Sequence, residues 1–591
     1  MARSFRDTCK FSPSNIFLLL FSLLVFTYLF FSPSLATPAY PQDTFFVLSD
    51  GWRFATGQIP FRDYHSALGP LSGLLTGLGM LLCRPGTGMA HGVLIGQGIF
   101  LLCLLPVAIF VAYRRLQAPM DALFCFVIVS LLASRVALGD PSPSHLTVTG
   151  TYNSQGYALL LVFGLMVLLR PRGKSQRAQM ADDILGGILL LLMFFDKLSY
   201  FGAAMGILAG VAILPFLPSM GRNLGLPIPA IVRLCVTSVI LTALILVMFG
   251  ISPFRIVGDV MGLVNAQAAK MGGASRWGRL PKIIFDALRQ YGLILFGFPV
   301  LLRLVFGRLP GRHEIVLAVV GVFLFLLSVG MMMGNSLQSA DQFLLLLLAF
   351  IWVEVSWRLS FSPTKLSVTA ILTVLGVFVL QHQAVAVFST LRAAAVELHS
   401  GRNANRWLAG TGLADLIIPA DEGPLNMLAP PPAEWWTMLA ELRETDSVFD
   451  GDLSMYEISQ VASEGRCLLD QNATREDRIY TDGRFYNIFA LIRRQPPPRG
   501  GSLSFGGPTV GDDFDTSSVS SAARGALADA TLIMSPRNGA MPAAFVGTAD
   551  AAGVMKEFDL AGQSHYWSLW RRKGTGQPVP SSGCAPERPG P

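Results

Sequence analysis

Apolar residues in this chain come in runs too long for the core of a soluble protein. Stretches such as 15–34 and 314–333 are of the roughly 17 to 24 residues that a helix rising about 1.5 Å per residue needs to cross hydrocarbon about 30 Å thick. Such runs predict about eleven spanning helices, at 15–34, 92–113, 120–138, 155–171, 183–199, 201–218, 231–250, 290–307, 314–333, 342–360 and 366–389. The stretch 69–83 (GPLSGLLTGLGMLLC) is shorter and holds four glycines, so it is expected to lie at the interface or re-enter rather than cross. Beyond residue 390 the texture turns polar with Pro/Gly clusters. The expected fold is therefore mainly α: a polytopic transmembrane module over 1–390 that includes a first outside loop at 35–91, a soluble α/β or α+β domain over 391–573, and a disordered tail over 574–591.

Charge orients the spans. With the amino terminus in the cytoplasm, the inside segments carry Arg3, Arg6 and Lys10; Arg114 and Arg115; Arg170, Arg172, Lys174 and Arg177; Arg222; Arg308 and Arg312; and Arg358 and Lys365. Eleven crossings then place the soluble domain outside, in the periplasm for a bacterial inner-membrane protein. The first run, ending in Ser34-Leu35-Ala36, also fits a cleaved signal peptide.

Composition agrees and narrows the classes. The 591 residues are 52% hydrophobic and 14% charged, with a mean hydropathy of +0.52. A net charge of +7 is spread as short flanks of apolar runs rather than pooled, which argues against nucleic acid as a partner. The seven cysteines form neither a disulfide framework nor a metal spacing, and neither a metal nor a cofactor is expected.

Candidate chemistry gathers in the outside loops. The first reads YPQDTFFVLSDGWRFATGQIPFRDYHSALGPLSGLL: Asp43 opens an amphipathic stretch to Ala55, a Gly57–Asp63 turn breaks it, and Gly69-Pro70-Leu71 starts the next segment. Asp43 is either a reacting carboxylate or an acidic cap on that helix. Asp50, two turns on and on nearly the same face as Asp43, either shares the site or, as the favoured reading, faces water. Arg62 and Asp63 form a local ion pair or contact a ligand, and His65 follows. Loop 139–154 offers Asp140, His145, Tyr152 and Asn153, or else is a proline-stiffened connector. Lys197, at the outer end of the fifth span, either meets an anion or snorkels to the headgroups. Loop 251–289 opposes the charge rule with Arg255, Lys270, Arg276, Arg279, Lys282 and Arg289, which suggests contact with phosphate or lipid headgroups.

The order in the first loop, an Asp, a short helix, a "G-x-x-P-[YF]-R-D" turn and a "GPL" step, resembles GT-C membrane glycosyltransferases, the superfamily of protein O-mannosyltransferases and lipid A aminoarabinose transferases. The resemblance implies an inverting hexosyl or pentosyl transfer from a polyprenyl-phosphate donor, among membrane lipids, to a glycan, lipid or protein acceptor. It also implies Asp43 and Asp140 as catalytic residues, with Arg62, Asp63, His65, His145, Tyr152, Asn153, Lys197, Arg276 and Arg279 toward the substrate. A single base suffices for inversion. The chain departs from the relatives in two places: Glu434-Trp435-Trp436 is not followed by the oligosaccharyltransferase "WWDYG", and Leu68 stands where aminoarabinose transferases carry Lys before "PPL". The rival classes are a transporter or flippase of lipid-linked glycans, which would show repeats and midplane charges, and a non-catalytic envelope protein.

In the soluble domain, 478–481, 530–534 and 566–571 read as strands and 434–443 and 455–463 as helices. RRQPPPRGG (493–501) marks a turn after an "N-x-F-x-L" segment, Asn487, Phe489 and Leu491.

Overall fold

The structure, a computed structural model, describes residues 13–37, 41–66, 68–84, 88–135, 146–148, 150–173, 176–213, 224–259, 281, 284, 311–334, 343–358, 384–400, 410–417, 455–481, 488–500, 525, 527–536, 554–564 and 566–575. Its long helices are α1 (Pro13–Phe31), α4 (Gly92–Arg115), α5 (Met120–Ala133), α6 (Thr151–Leu168), α7 (Gln176–Asp196), α8 (Leu198–Ile213), α9 (Ile228–Phe249), α10 (Gly311–Gly334), α11 (Phe343–Arg358) and α12 (Ala384–Ser400). Shorter α2 (Pro41–Ala55) and α3 (Pro70–Leu82) form the first loop. Five of the described helices, α1, α4, α6, α7 and α9, are long and apolar enough to cross a membrane, and the chain is a multi-pass membrane protein. The expected span at 290–307, and residues 366–383 of the one expected at 366–389, lie outside the described residues.

The helices sort by which solvent they meet. α6 is buried along its whole length and carries Tyr152, Asn153, Gln155 and Tyr157. Gln155 Nε2 donates to Gln97 Oε1 (2.6 Å) and Gln97 Nε2 to Leu132 O (3.1 Å), so side-chain amides tie α6 to α4 and α5. α1 and α9 instead expose Leu20, Leu23, Leu24, Val236, Val239, Ile240 and Val247. Such faces suit lipid.

One end of the bundle is pinned by arginines. Asp182 on α7 pairs with Arg114 (2.9 Å) and with the fully buried Arg115 (3.1 Å). Arg358 pairs with Glu354 (3.0 Å) and donates to Arg170 O (3.0 Å) and Arg115 O (2.7 Å), while the other Glu354 oxygen accepts from Gln117 N (2.8 Å). Glu354 thereby ties Arg358 to the segment after α4. The arginines at 114, 115, 170, 172 and 358, all assigned by sequence to one side, thus lie at one end, since Arg172 N donates to Arg114 O (2.9 Å).

At the opposite end α3 is anchored at both of its ends. Gly69 N donates to Asp196 O (2.9 Å) at the far end of α7, and Cys83, after α3, lies 4.0 Å from His91, just before α4. Both ends of α3 therefore sit at the loop-bearing end. Its glycines allow close packing: a Cβ on Gly73 would meet the Asp50 carboxylate, and one on Gly79 would meet the Gly92 carbonyl.

The carboxy-terminal part of the chain holds a four-stranded sheet, β3 (Ile479–Thr481), β4 (Leu532–Pro536), β5 (Phe558–Gln563) and β6 (Trp567–Arg572), in the order β3-β4-β6-β5. β3 and β4 run parallel and the other pairs antiparallel. α13 (Met455–Asn472) and α14 (Ile488–Ile492) cover it: Trp567 Nε1 donates to Val461 O (2.7 Å) and its ring meets Phe489 edge-on at 5.1 Å. Cys467 on α13 is disulfide-bonded, unlike Cys83, Cys103, Cys125 and Cys235 in the helical module. β1 (Leu35–Ala36), just after α1, pairs in parallel with β2 (Leu416–Ile417) and joins the two parts. α12 runs across residue 390, where the sequence texture changes.

Candidate active site at the loop-bearing end

The first loop folds as its sequence pattern predicts, with one reversal. Asp43 lies in the first turn of α2, and its side chain is outside the described residues. Asp50, expected to face water, is buried at 2% exposure and takes a short hydrogen bond from the Tyr64 hydroxyl. α2 is covered by α3 on one side and by the soluble domain on another, so no face of it at Asp50 is left for solvent. Burial pushes the Asp50 carboxyl up to about 6, against the hydrogen bond from Tyr64 and the charge of Arg53. Arg53, also buried, stacks over the Tyr64 ring (4.7 Å), and burial lowers its proton affinity. Asp50 Oδ2 has no protein hydrogen-bond partner.

The turn after α2 is tied by Asp63, whose Oδ2 accepts from Ile59 N (2.8 Å) and Arg62 Nη2 (2.7 Å). Burial acts to raise the Asp63 carboxyl, but these donors and the Arg62 charge hold it below its usual range. Phe61 adopts a left-handed φ of 62°, uncommon for a bulky residue. Its ring is buried against Ile251 and Ile256, which offsets the conformational cost. The turn thereby docks on the chain leaving α9. His65 Nδ1 lies 2.6 Å from Asp259 Oδ1, Arg255 Nη1 donates to Arg62 O (2.9 Å), and Arg255 Nη2 approaches His65 Nε2 at 3.4 Å. Arg62 and Arg255 thus stand together beside His65, and the Arg62 side chain is 41% exposed. Sequence reasoning named Arg255 only as part of its loop; the partnership was not readable without the docking of the turn.

A second polar group surrounds Lys197. Tyr152 and Asn153, expected in a loop, occupy the first turn of α6, which begins at Thr151. The Lys197 ammonium donates to Asn153 Oδ1 (3.3 Å) and stands 5.5 Å over the Tyr152 ring, and the Tyr200 hydroxyl donates to the same Asn153 oxygen (3.1 Å). Adjacent Asp196 is fully buried, and neither carboxylate oxygen has a hydrogen-bond partner in the protein. Three sequence candidates, Lys197, Tyr152 and Asn153, are thus together, and through the Gly69 bond to Asp196 they sit under the end of the first loop. Asp140, His145, Arg276 and Arg279 lie outside the described residues.

The soluble domain reaches the same place through the proline segment. Trp52 Nε1 donates to Gln495 O (2.7 Å), Gln58 Nε2 to Pro497 O (2.6 Å), Arg53 Nη1 to Pro498 O (3.0 Å), and Gly500 N to Asp63 O (2.7 Å). Prolines leave these carbonyls free of ladder pairing, which suits them to accept from α2 and its turn. Asn472, in the sequon-like Asn472-Ala473-Thr474, is buried and bonded to Leu468 O (2.8 Å).

Comparison with known proteins gives two solved structures. ArnT from Cupriavidus metallidurans in the apo state is 15% identical with a TM-score of 0.39, over 95% of this chain and 98% of that one. The Archaeoglobus fulgidus oligosaccharyltransferase, in a complex with Zn and sulfate, is 11% identical with a TM-score of 0.33, over 92% of this chain and 71% of that one. Both are of the GT-C kind that the first loop resembles; at these scores neither carries an argument about activity. No protein-family model and no curated protein matches the chain.

Proposed function

We propose that this chain is an inverting membrane glycosyltransferase of GT-C type, moving a hexosyl or pentosyl group from a polyprenyl-phosphate donor to an envelope glycan, lipid or protein. The observation that carries this reading is the gathering, at one end of the bundle, of the helix that bears Asp43 with Arg62 and Arg255 beside His65 and with Lys197 at Asn153 and Tyr152. In the proposed step, Asp43 takes the proton of the acceptor hydroxyl as its oxygen forms a bond to the sugar's anomeric carbon. The carbon–oxygen bond to the phosphate breaks on the opposite face, and its electron pair leaves on the phosphate. Cations held near that oxygen stabilise the charge that develops there. Arg276 and Arg279 are assigned to the same anion by their loop, and Asp140 and His145 to the acceptor side by theirs.

We place this end on the periplasmic face of a bacterial inner membrane. The arginine-bearing end then faces the cytoplasm as the charge rule requires, and the disulfide at Cys467 falls in an oxidising compartment. A lipid-carried donor reaches such a site by lateral diffusion.

The test uses purified protein in phosphatidylethanolamine/phosphatidylglycerol vesicles with a panel of radiolabelled polyprenyl-phosphate hexoses and pentoses and an envelope-lipid extract. The reading expects label to move to a new acceptor. Movement of the labelled lipid between leaflets without transfer would instead establish the transporter reading.

A further inference from the structure

Arg135, two residues past α5, serves both loops that carry the candidate carboxylates. Its Nη2 donates to Ala36 O (2.7 Å), and its Nη1 donates to Glu397 Oε1 (2.7 Å) and to the Tyr28 hydroxyl. Glu397, on α12, accepts from Ala36 N (2.9 Å) at Oε1 and from the Ser32 hydroxyl (2.7 Å) at Oε2. One ion pair therefore holds both the N–H and the C=O of Ala36. The next residue passes the placement on: Thr37 N donates to Ile417 O (3.1 Å), and the Thr37 hydroxyl lies 2.8 Å from that of Thr44, the neighbour of Asp43. On the other side, Arg135 O accepts from Thr147 N (2.7 Å), which closes the segment containing Asp140 and His145.

Arg135 and Glu397 side chains are 1% and 0% exposed. Stability alone is a weak reason for such a pair, since well-packed apolar residues often serve a buried site equally well or better. A directional grip on two loop bases is something apolar residues cannot supply.

We propose that the Arg135–Glu397 pair is a clamp that fixes the bases of the first and second loops relative to each other, making both residues, with Thr37, positioning residues for transfer. The proposal rests on the reading of Asp43 as the base. A displacement of about 1 Å at a reacting group costs about 100-fold in rate, so the clamp is expected to show in turnover rather than in donor binding.

The experiment measures kcat, donor KM and thermal unfolding of the full chain in the vesicle assay above. Thr37→Val keeps shape and removes the hydroxyl link; it is expected to lower kcat about 10-fold, leaving donor KM and unfolding temperature near native. The double variant Arg135→Met with Glu397→Leu removes both charges without leaving either unpaired, and is expected to fold and lose about 100-fold in kcat. Native kcat in Thr37→Val, or in a folded double variant, overturns the clamp. Should the double variant fail to fold, Thr37→Val decides alone. Asp43→Asn measured alongside separates the two ideas: full activity there removes the base assignment, whereas an inactive Asp43→Asn beside clamp variants of native kcat removes only the clamp.

Discussion

The two ends of the bundle treat their buried carboxylates differently. At the arginine-bearing end Asp182, Asp183 and Glu354 each meet an arginine within 3.0 Å. At the loop-bearing end Glu397 and Asp415 are engaged, but Asp50, Asp196 and Asp259 each keep at least one oxygen without a hydrogen-bond partner among the described residues. Ion pairs that close on themselves hold helices together. Polar atoms left over after folding mark where a protein has given up local consistency, and such places concentrate at functional sites. On the proposed function, this contrast between the carboxylates separates a scaffold end from a working end within one bundle.

The contrast is broken most forcefully at Asp182. Asp182→Ala leaves Arg115 buried without its counter-charge and is expected to cost about 3–5 kcal/mol, seen as a large drop in unfolding temperature and membrane abundance. Lys197→Gln, at the other end, is expected to leave both nearly unchanged while raising donor KM about 10-fold or more, the loss of a charge-assisted hydrogen bond of about 1.5–3 kcal/mol. Equal destabilisation by the two variants would erase the distinction between the ends.

A smaller effect sharpens the picture at Asp50. Its carboxyl is pushed up from 3.8 to about 6 on folding, so the folded protein holds a proton that the unfolded chain releases between those values. Stability from this group is full below the unfolded value and is lost as pH rises through the folded one. Asp50→Asn, which still accepts from Tyr64, is expected to flatten the decline in stability between these two pH values; a slope identical to that of the native protein would show that Asp50 is not the group responsible.

Much of the bundle was legible because hydrophobic length and arginine flanks report directly on it. α4, expected at 92–113, is found at Gly92–Arg115, and α9, expected at 231–250, at Ile228–Phe249. β5 was not readable: FDLAGQ has one aromatic and no β-branched residue to signal a strand, and its pairing with β6 makes it one. Asp50 was misread because its cover comes from α3 and from a proline segment more than 400 residues on. Arg135 and Glu397 were invisible for a similar reason: 262 positions separate them, and neither belongs to a local motif. Within the candidate site, residue types were legible and partnerships were not. Lys197 could be singled out as a costly charge near membrane depth, but its placement with Asn153 and Tyr200 follows from three helix ends meeting.

The central claim is that the first loop performs proton transfer during glycosyl transfer, and Asp43→Asn tests it most directly. The variant is made in the full chain, matched to native protein for membrane abundance and unfolding temperature, and assayed for label transfer from the polyprenyl-phosphate donor that the native protein uses. The account predicts folded protein that still binds donor but transfers at least about 100-fold more slowly, the lower range for loss of a general base. Transfer at the native rate by a folded Asp43→Asn protein would contradict it.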